Sequence, residues 1–144
     1  MNASPDISFH QQVPVTNLRN RTKLKDFLGE IFQKEKTAAR SVQFIFCSDG
    51  FLLNINRRFL QHDYYTDIIS FNLAEDNQPV EGEIYISVDR VKENATSLGL
   101  PFGQELHRVI FHGILHFCGY KDKTDSEQLT MRKKEDFYLK KYLQ

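Results

Sequence analysis

The eleven residues from His112 to Asp122, HGILHFCGYKD, constrain this chain more than any other stretch. His112 and His116 are four positions apart, so on a helix both imidazoles leave one face a turn apart, close enough to share one metal ion. Gly119 follows the last periodic apolar residue. A glycine there takes the left-handed conformation that ends a helix, and the turn can bring Asp122 back toward the two rings. Two nitrogens and one carboxylate suit zinc and leave a fourth position for water, as a catalytic site does and a closed structural site does not. Two histidines at this spacing on an amphipathic helix also fit a pair that holds nothing, and the residues alone leave that reading open. The residue after the first histidine is Gly113, where the helical metalloprotease motif has its glutamate. A glycine moves no proton, so peptidase chemistry lacks its base here, and Gly113 reads as a place where the helix packs closely on a neighbour.

The rest of the chain alternates between strand and helix patterns. Ile7–Phe9 and Val42–Phe46 alternate as strands, and Ile68–Leu73 and Val80–Ser87 form a hairpin around Glu75–Gln78. Leu24, Phe27, Leu28 and Ile31 recur at helical spacing. A second helix runs from Phe51 to about Leu60 behind an Asp49 cap, with Leu52, Ile55 and Phe59 inward. A third follows Asp89 and ends at Gly99, and a fourth, starting between Phe102 and Glu105, carries the two histidines. Thr124 and Glu127 have capping-box spacing for a last helix reaching about Tyr142, whose Arg132-Lys133-Lys134 cluster reads as a solvated face. Gly82, inside a strand, marks a bulge or the close approach of another group. With no repeat or linker, residues 1–144 read as one α+β domain: a small mixed sheet of about four strands packed with about five helices, the metal site on a central buried helix.

Charge narrows the partners. The 19 basic and 19 acidic side chains cancel, so attraction to a polyanion has to come from a local patch. Cys47 and Cys118 lack metal-type spacing and suit reduced thiols in the cytoplasm better than a disulfide framework. The stretch from Met1 to Val15 lacks the basic start and apolar run of a signal peptide, and no segment has membrane-spanning length.

The run His112-Gly113-Ile114-Leu115-His116 with Gly119-Tyr120 and a ligand-type residue at 122 resembles the signature of the YbeY family of bacterial endoribonucleases, HGxLHxxGYDH. Tyr65–Phe71 and Gly82–Ile86 look like two further blocks of that family in the same order. The resemblance spans residues 54 to 122 and implies a single-domain, metal-dependent ribonuclease of ribosomal RNA maturation, with ribosomal RNA precursors, and the ribosome or its proteins, as partners. It implies His112, His116 and Asp122 as ligands of one zinc ion. Two positions depart from the family. Its third ligand is usually histidine, and the carboxylate of Asp122 puts more negative charge on the metal, which leaves water there less acidic and moves activity to higher pH or to a different metal. Its arginine near the active site falls at Leu60 here, with Arg57 and Arg58 close by.

Phosphodiester hydrolysis at such a site needs a proton acceptor and a cation facing the phosphate. His62, Asp63 and Asp67 are the candidates for the base, although Asp67 also fits a structural cap. Arg57 or Arg58 is the natural cation, with solvation on an exposed helix as the alternative. Lys121 and Lys123, beside Asp122, can attract an RNA backbone, and Tyr120 either packs the helix end or stacks on a base. Zinc as a tie between the last two helices of an RNA- or ribosome-binding module is the reading from another class, and a metallohydrolase acting on peptides is a third.

Overall fold

Alternating apolar residues along β2 (Ala39–Cys47) and β4 (Val80–Ser87) present one row of side chains to each face of a sheet. The two strands pair in parallel. β1 (Asp6–Gln11) adds to β2 in parallel and β3 (Ile68–Asn72) to β4 antiparallel, giving the order β1-β2-β4-β3. This computed structural model describes residues 4–15, 18 and 20–144; residues 1–3, at the head of the stretch read above for a leader, lie outside them. Among the described residues the helices are α1 (Arg21–Lys34), α2 (Asp49–Phe59), α3 (Val88–Leu98), α4 (Phe102–Phe117) and α5 (Asp125–Tyr142). The α+β class, the mixed four-stranded sheet with five helices and the β3–β4 hairpin are as the sequence led us to expect.

The two faces of the sheet are covered unequally. Phe44, Phe46, Ile84 and Ile86 join the larger core with Leu28 and Ile31 of α1, Ile110 and Ile114 of α4, and Tyr138 of α5. Each fully buried aliphatic here contributes roughly 1.5–3 kcal/mol relative to exposure. Cys47 and Ile69 join a smaller cluster that Leu52 and Ile55 of α2 complete. Phe59, expected inward with them, is 67% exposed at the last residue of α2, with the Phe71 ring 6.2 Å away and steeply inclined to it.

Two glycines bring α4 down onto the sheet. A Cβ on Gly113 would lie 2.9 Å from Ile84 Cδ1 and 3.0 Å from Ile68 Cδ1, and one on Gly82 would lie 2.5 Å from a ring carbon of Phe117. A side chain at either place would force the facing isoleucine or phenylalanine to shift, most severely the Phe117 ring over Gly82, so the two glycines let the helix sit this close. The pairing of β4 runs unbroken through Gly82, which therefore marks close approach and not a bulge.

Two expected caps are displaced by one or two residues. Ser48 and Ser87, not Asp49 and Asp89, cap α2 and α3, their hydroxyls accepting from the backbone N–H groups of Phe51 and Arg90. The two helices start side by side beyond the adjacent parallel strands β2 and β4, and the aspartates bridge them. Asp49 pairs with Arg90 at 2.7 Å and accepts from the Ser87 hydroxyl, while Asp89 accepts the Asp49 N–H. Among the described residues no helix is long and apolar enough to cross a membrane.

Candidate metal centre

α4 ends as the sequence indicated. Gly119 has φ +98°, and the Tyr120 and Gly119 N–H groups donate to the carbonyls of Leu115 and His116 at 3.1 Å each, the paired bonds of a Schellman turn. The capping box of Thr124 and Glu127 then starts α5. Between the two helix ends the chain has only enough length to fold back, and Asp122 faces the histidines. His112 Nε2 and His116 Nε2 are 3.0 Å apart, and Asp122 Oδ2 lies 3.2 and 3.3 Å from them.

The far nitrogen of each ring is already occupied. His116 Nδ1 is 2.9 Å from the Tyr120 carbonyl oxygen, which can only accept, so Nδ1 carries the hydrogen and Nε2 keeps its lone pair for the cleft. His112 Nδ1 is 2.6 Å from Glu135 Oε2 on α5, with the same consequence. With both rings neutral, three acceptor atoms therefore converge with no donor among them, which favours a cation between them. Ligands of a tetrahedral ion at about 2.0–2.1 Å are separated by roughly 3.3–3.4 Å, so the observed triangle fits a zinc-sized ion with small adjustment. His112, His116 and Asp122 could hold a metal ion, and they are the one such group of three among the described residues. Burial lowers the proton affinity of His112, but the hydrogen bond and charge of Glu135, with the charges of Asp122 and Asp67, outweigh it and leave the imidazole above its ordinary pKa. A metal entering the site displaces that proton.

The site opens into a cleft of about 1080 Å³ between α4 and α5 on one side and the segment from Leu60 to β3 on the other. Of the residues proposed from the sequence, Asp67 and His62 line it; Arg57 and Arg58 do not. Arg57 is ion-paired to Asp63 on the outer side of α2, so both are engaged with each other. Asp67 sits where burial raises its carboxyl pKa, the charge of His112 opposing and those of Glu135 and Asp122 adding. Its backbone carbonyl accepts the Ser87 N–H at 2.9 Å, so the residue also extends the edge of the sheet. Leu60 leaves an apolar, 40% exposed side chain on the cleft wall. His10 is exposed beside Ser8, and His107 is buried, stacked on Tyr142 with Nδ1 on the Gly103 carbonyl. Both cysteines are free, and burial raises their thiols to about 12 for Cys47 and about 11 for Cys118.

The sequence reading passed over Glu135, Arg108 and Glu105. Glu135 shares a stripe with Met131, Tyr138, Leu139 and Tyr142, all buried, and a lone acid on a buried stripe is the signal that could have found it. Arg108 stands one turn before His112 on the same face and reaches Asp136 at 2.7 Å and Glu135 at 3.3 Å. The Arg132-Lys133-Lys134 cluster is only partly solvated, because Arg132 lines the cleft and Lys134 donates to Glu35 at 3.2 Å.

With this geometry in view, the comparisons with known proteins are specific. The family model for Endoribonuclease YbeY matches residues 6–143. The chain belongs to the YbeY family. Curated YbeY endoribonucleases resemble it over nearly their whole length: that of Cytophaga hutchinsonii is 48% identical over 92% of this chain and 93% of its own. That of Flavobacterium psychrophilum is 42% identical over 93% of this chain and 94% of its own. A Thermotoga maritima protein solved in solution shares the fold with TM-score 0.66 and 30% identity, covering 94% of this chain and 88% of its own. The YbeY family model thus takes in the sheet, both helices of the site and the bend between them.

Behind that bend lies a half-buried acid that the family signature does not contain. Glu35, just past α1, accepts from the Tyr120 hydroxyl at 2.6 Å, from Lys134 Nζ at 3.2 Å and from the Tyr138 hydroxyl. Burial pushes its carboxyl up, but the three donors together outweigh burial and hold it below its ordinary value. The unfolded chain therefore takes up this proton at higher pH than the folded one, so the stabilisation is complete above the ordinary glutamate range and is lost as pH falls through the lowered folded value. Glu35→Gln is expected to cost about 1–2 kcal/mol at pH 7, the difference between charge-assisted and neutral hydrogen bonds. Urea denaturation of both proteins from pH 7 down to 3 checks this: the gap should close on acidification, and a gap independent of pH would assign the loss to packing.

Proposed function

We propose that this chain is a cytoplasmic, single-zinc endoribonuclease that cuts single-stranded segments of ribosomal RNA precursors in small-subunit maturation and ribosome quality control. One observation carries the reading: three acceptor atoms, 3.0–3.3 Å apart, meet at the floor of an open cleft with their rings held from behind. Membership of an endoribonuclease family supplies the substrate class.

When bound, zinc supplies Lewis acidity to a phosphoryl oxygen and to the attacking water. The chain supplies the rest. His112, His116 and Asp122 hold the ion; Glu135 and the Tyr120 carbonyl hold the two imidazoles so that neither ring turns its bare nitrogen away. Asp67, with its proton affinity raised by burial, takes the proton of the nucleophile at its carboxylate. The peptidase reading loses further ground, since Gly113 faces Ile84 and Ile68 of the sheet and no side chain at that position could reach the cleft.

Metal analysis of the purified protein with cleavage of ribosomal RNA precursors tests the proposal. One zinc per chain is expected, with cleavage lost on chelation and restored by zinc. Cleavage indifferent to chelator would remove the metal from the chemistry. Zinc whose removal unfolds a protein that never cuts RNA would make the site a structural tie between α4 and α5.

A further inference from the structure

A phosphodiester brings negative charge into the cleft and gathers more in the transition state, so one wall must offer a cation that the protein has not already neutralised. Among the described residues the arginines and lysines lining the cleft are Arg108, Lys123 and Arg132. Arg108 is taken: its side chain is 12% exposed and faces Asp136 at 2.7 Å, Glu135 at 3.3 Å and Glu105 at 3.8 Å. Lys123 sits on the exposed bend between α4 and α5, a compact charge on a flexible stem, suited to drawing in a polyanion but not to orienting one.

Arg132 differs from both. It stands on the regular part of α5, its side chain is 54% exposed, and its nearest carboxylate, Glu135 Oε1, is 3.7 Å from Nη1, too far for a hydrogen bond. The same carboxylate holds His112 Nδ1 through its other oxygen at 2.6 Å. Arg132 thus offers a guanidinium with free N–H groups one carboxylate away from the three ligands, on the α5 wall. Leu60, which also lines the cleft, offers no charge.

We propose that Arg132 is the phosphate-binding residue of this cleft, its fork of N–H groups donating to the non-bridging oxygens of the phosphodiester, with Glu135 lying between Arg132 and His112. This rests on the reading of the cleft as a ribonuclease site. It moves the cation from α2, where Arg57 is engaged with Asp63, to the helix that also braces the metal ligands. Because a fork and not a point charge does the orienting, lysine is not a conservative replacement at this position.

The test compares wild type with Arg132→Ala, Arg132→Lys and Arg58→Ala, all zinc-loaded, on a single-stranded oligoribonucleotide, with zinc content and melting temperature measured alongside. Arg132→Ala should lower kcat by about 10–100-fold, below the 100–1000-fold of a fully buried donor, with zinc content and melting unchanged. Arg132→Lys should not restore kcat, because a point charge does not replace the fork. Binding of the same oligonucleotide to chelator-treated protein gives a second readout: the slope of log affinity against log salt should flatten by about 0.7 in Arg132→Ala, one single-strand phosphate contact. Wild-type cleavage with an Arg132→Ala variant that keeps full kcat overturns Arg132 while leaving the ribonuclease reading intact, as does a fall in kcat confined to Arg58→Ala. Loss of zinc from Arg132→Ala also overturns it, since the residue would then act through the metal site. Should wild type bind zinc and cut nothing, the ribonuclease reading goes, and an unchanged salt slope would take the phosphate contact with it.

Discussion

Asp122→Ala is expected to fold, to bind zinc more than 100-fold more weakly than wild type and to lose cleavage of ribosomal RNA precursors. The fold should survive because Asp122 is 40% exposed, on a bend held by the Gly119 turn and the Thr124 capping box, neither of which uses its side chain. The metal should not survive. Changes in the groups behind a ligand cost about 10–100-fold in affinity, and loss of the ligand itself, the one anionic member of the set, exceeds that. Two imidazoles with Nε2 atoms 3.0 Å apart would remain, a donor set of two where three had converged. Asp122→His is the companion variant. A neutral third ligand should keep zinc at one per chain and move the activity profile to lower pH, because less negative charge on the metal leaves its water more acidic. Competition titration with a chelator and a pH–rate profile measure both; full zinc content and full activity in Asp122→Ala would remove Asp122 from the ligand set.

The largest loss of stability should come from Arg108→Met. This arginine is the counter-charge for Glu105 and Glu135, whose side chains are 7% exposed, and for the more exposed Asp136. Removing one partner of a buried ion pair leaves the other charge stranded, at a cost of about 3–5 kcal/mol, equivalent to a melting temperature lower by about 10–20 °C in a chain of this length. Burial already holds the Glu105 carboxyl above its ordinary pKa, with Arg108 as the chief opposing charge. Without Arg108 that value rises further. The folded variant then binds more protons than its unfolded chain, so its stability should recover as pH falls through the raised folded value. Urea denaturation at pH 7 and pH 5 reads this: a loss that is the same at both would mean that packing of the arginine stem, not its charge, is what matters. The variant should also hold zinc less tightly, since Glu135 would lose the partner that keeps it against His112.

Much of the molecule was legible in local patterns. The i, i+4 histidines, the glycine that stops α4, the capping box of α5 and the β3–β4 hairpin each depend on residues a few positions apart, and such preferences act on the chain wherever it lies. The displaced caps show where that ends. Asp49 and Asp89 have the chemistry of caps, but the serine ending each strand reaches its helix N-terminus first, and the aspartates are drawn to Arg90 and to each other's helix. Asp89 meets Asp49 only because β2 and β4 are neighbours in the sheet, and no window of sequence contains both.

The sequence by itself determined which side chains can take a metal ion and that a helix and a bend carry them, because their spacing is set by backbone geometry over eleven residues. Tertiary structure decided what stands around them. Glu135 lies 23 positions from His112, and Glu35 lies 85 from Tyr120; both reach the site only through the packing of α5 and α1 against α4. The same packing turned Arg132 into the cleft and left Arg57 outside it. A charge on a helix is free until something lies against that face, and which face is covered follows from how the helices settle on the sheet, where Gly113 and Gly82 let α4 come close enough to set the rest.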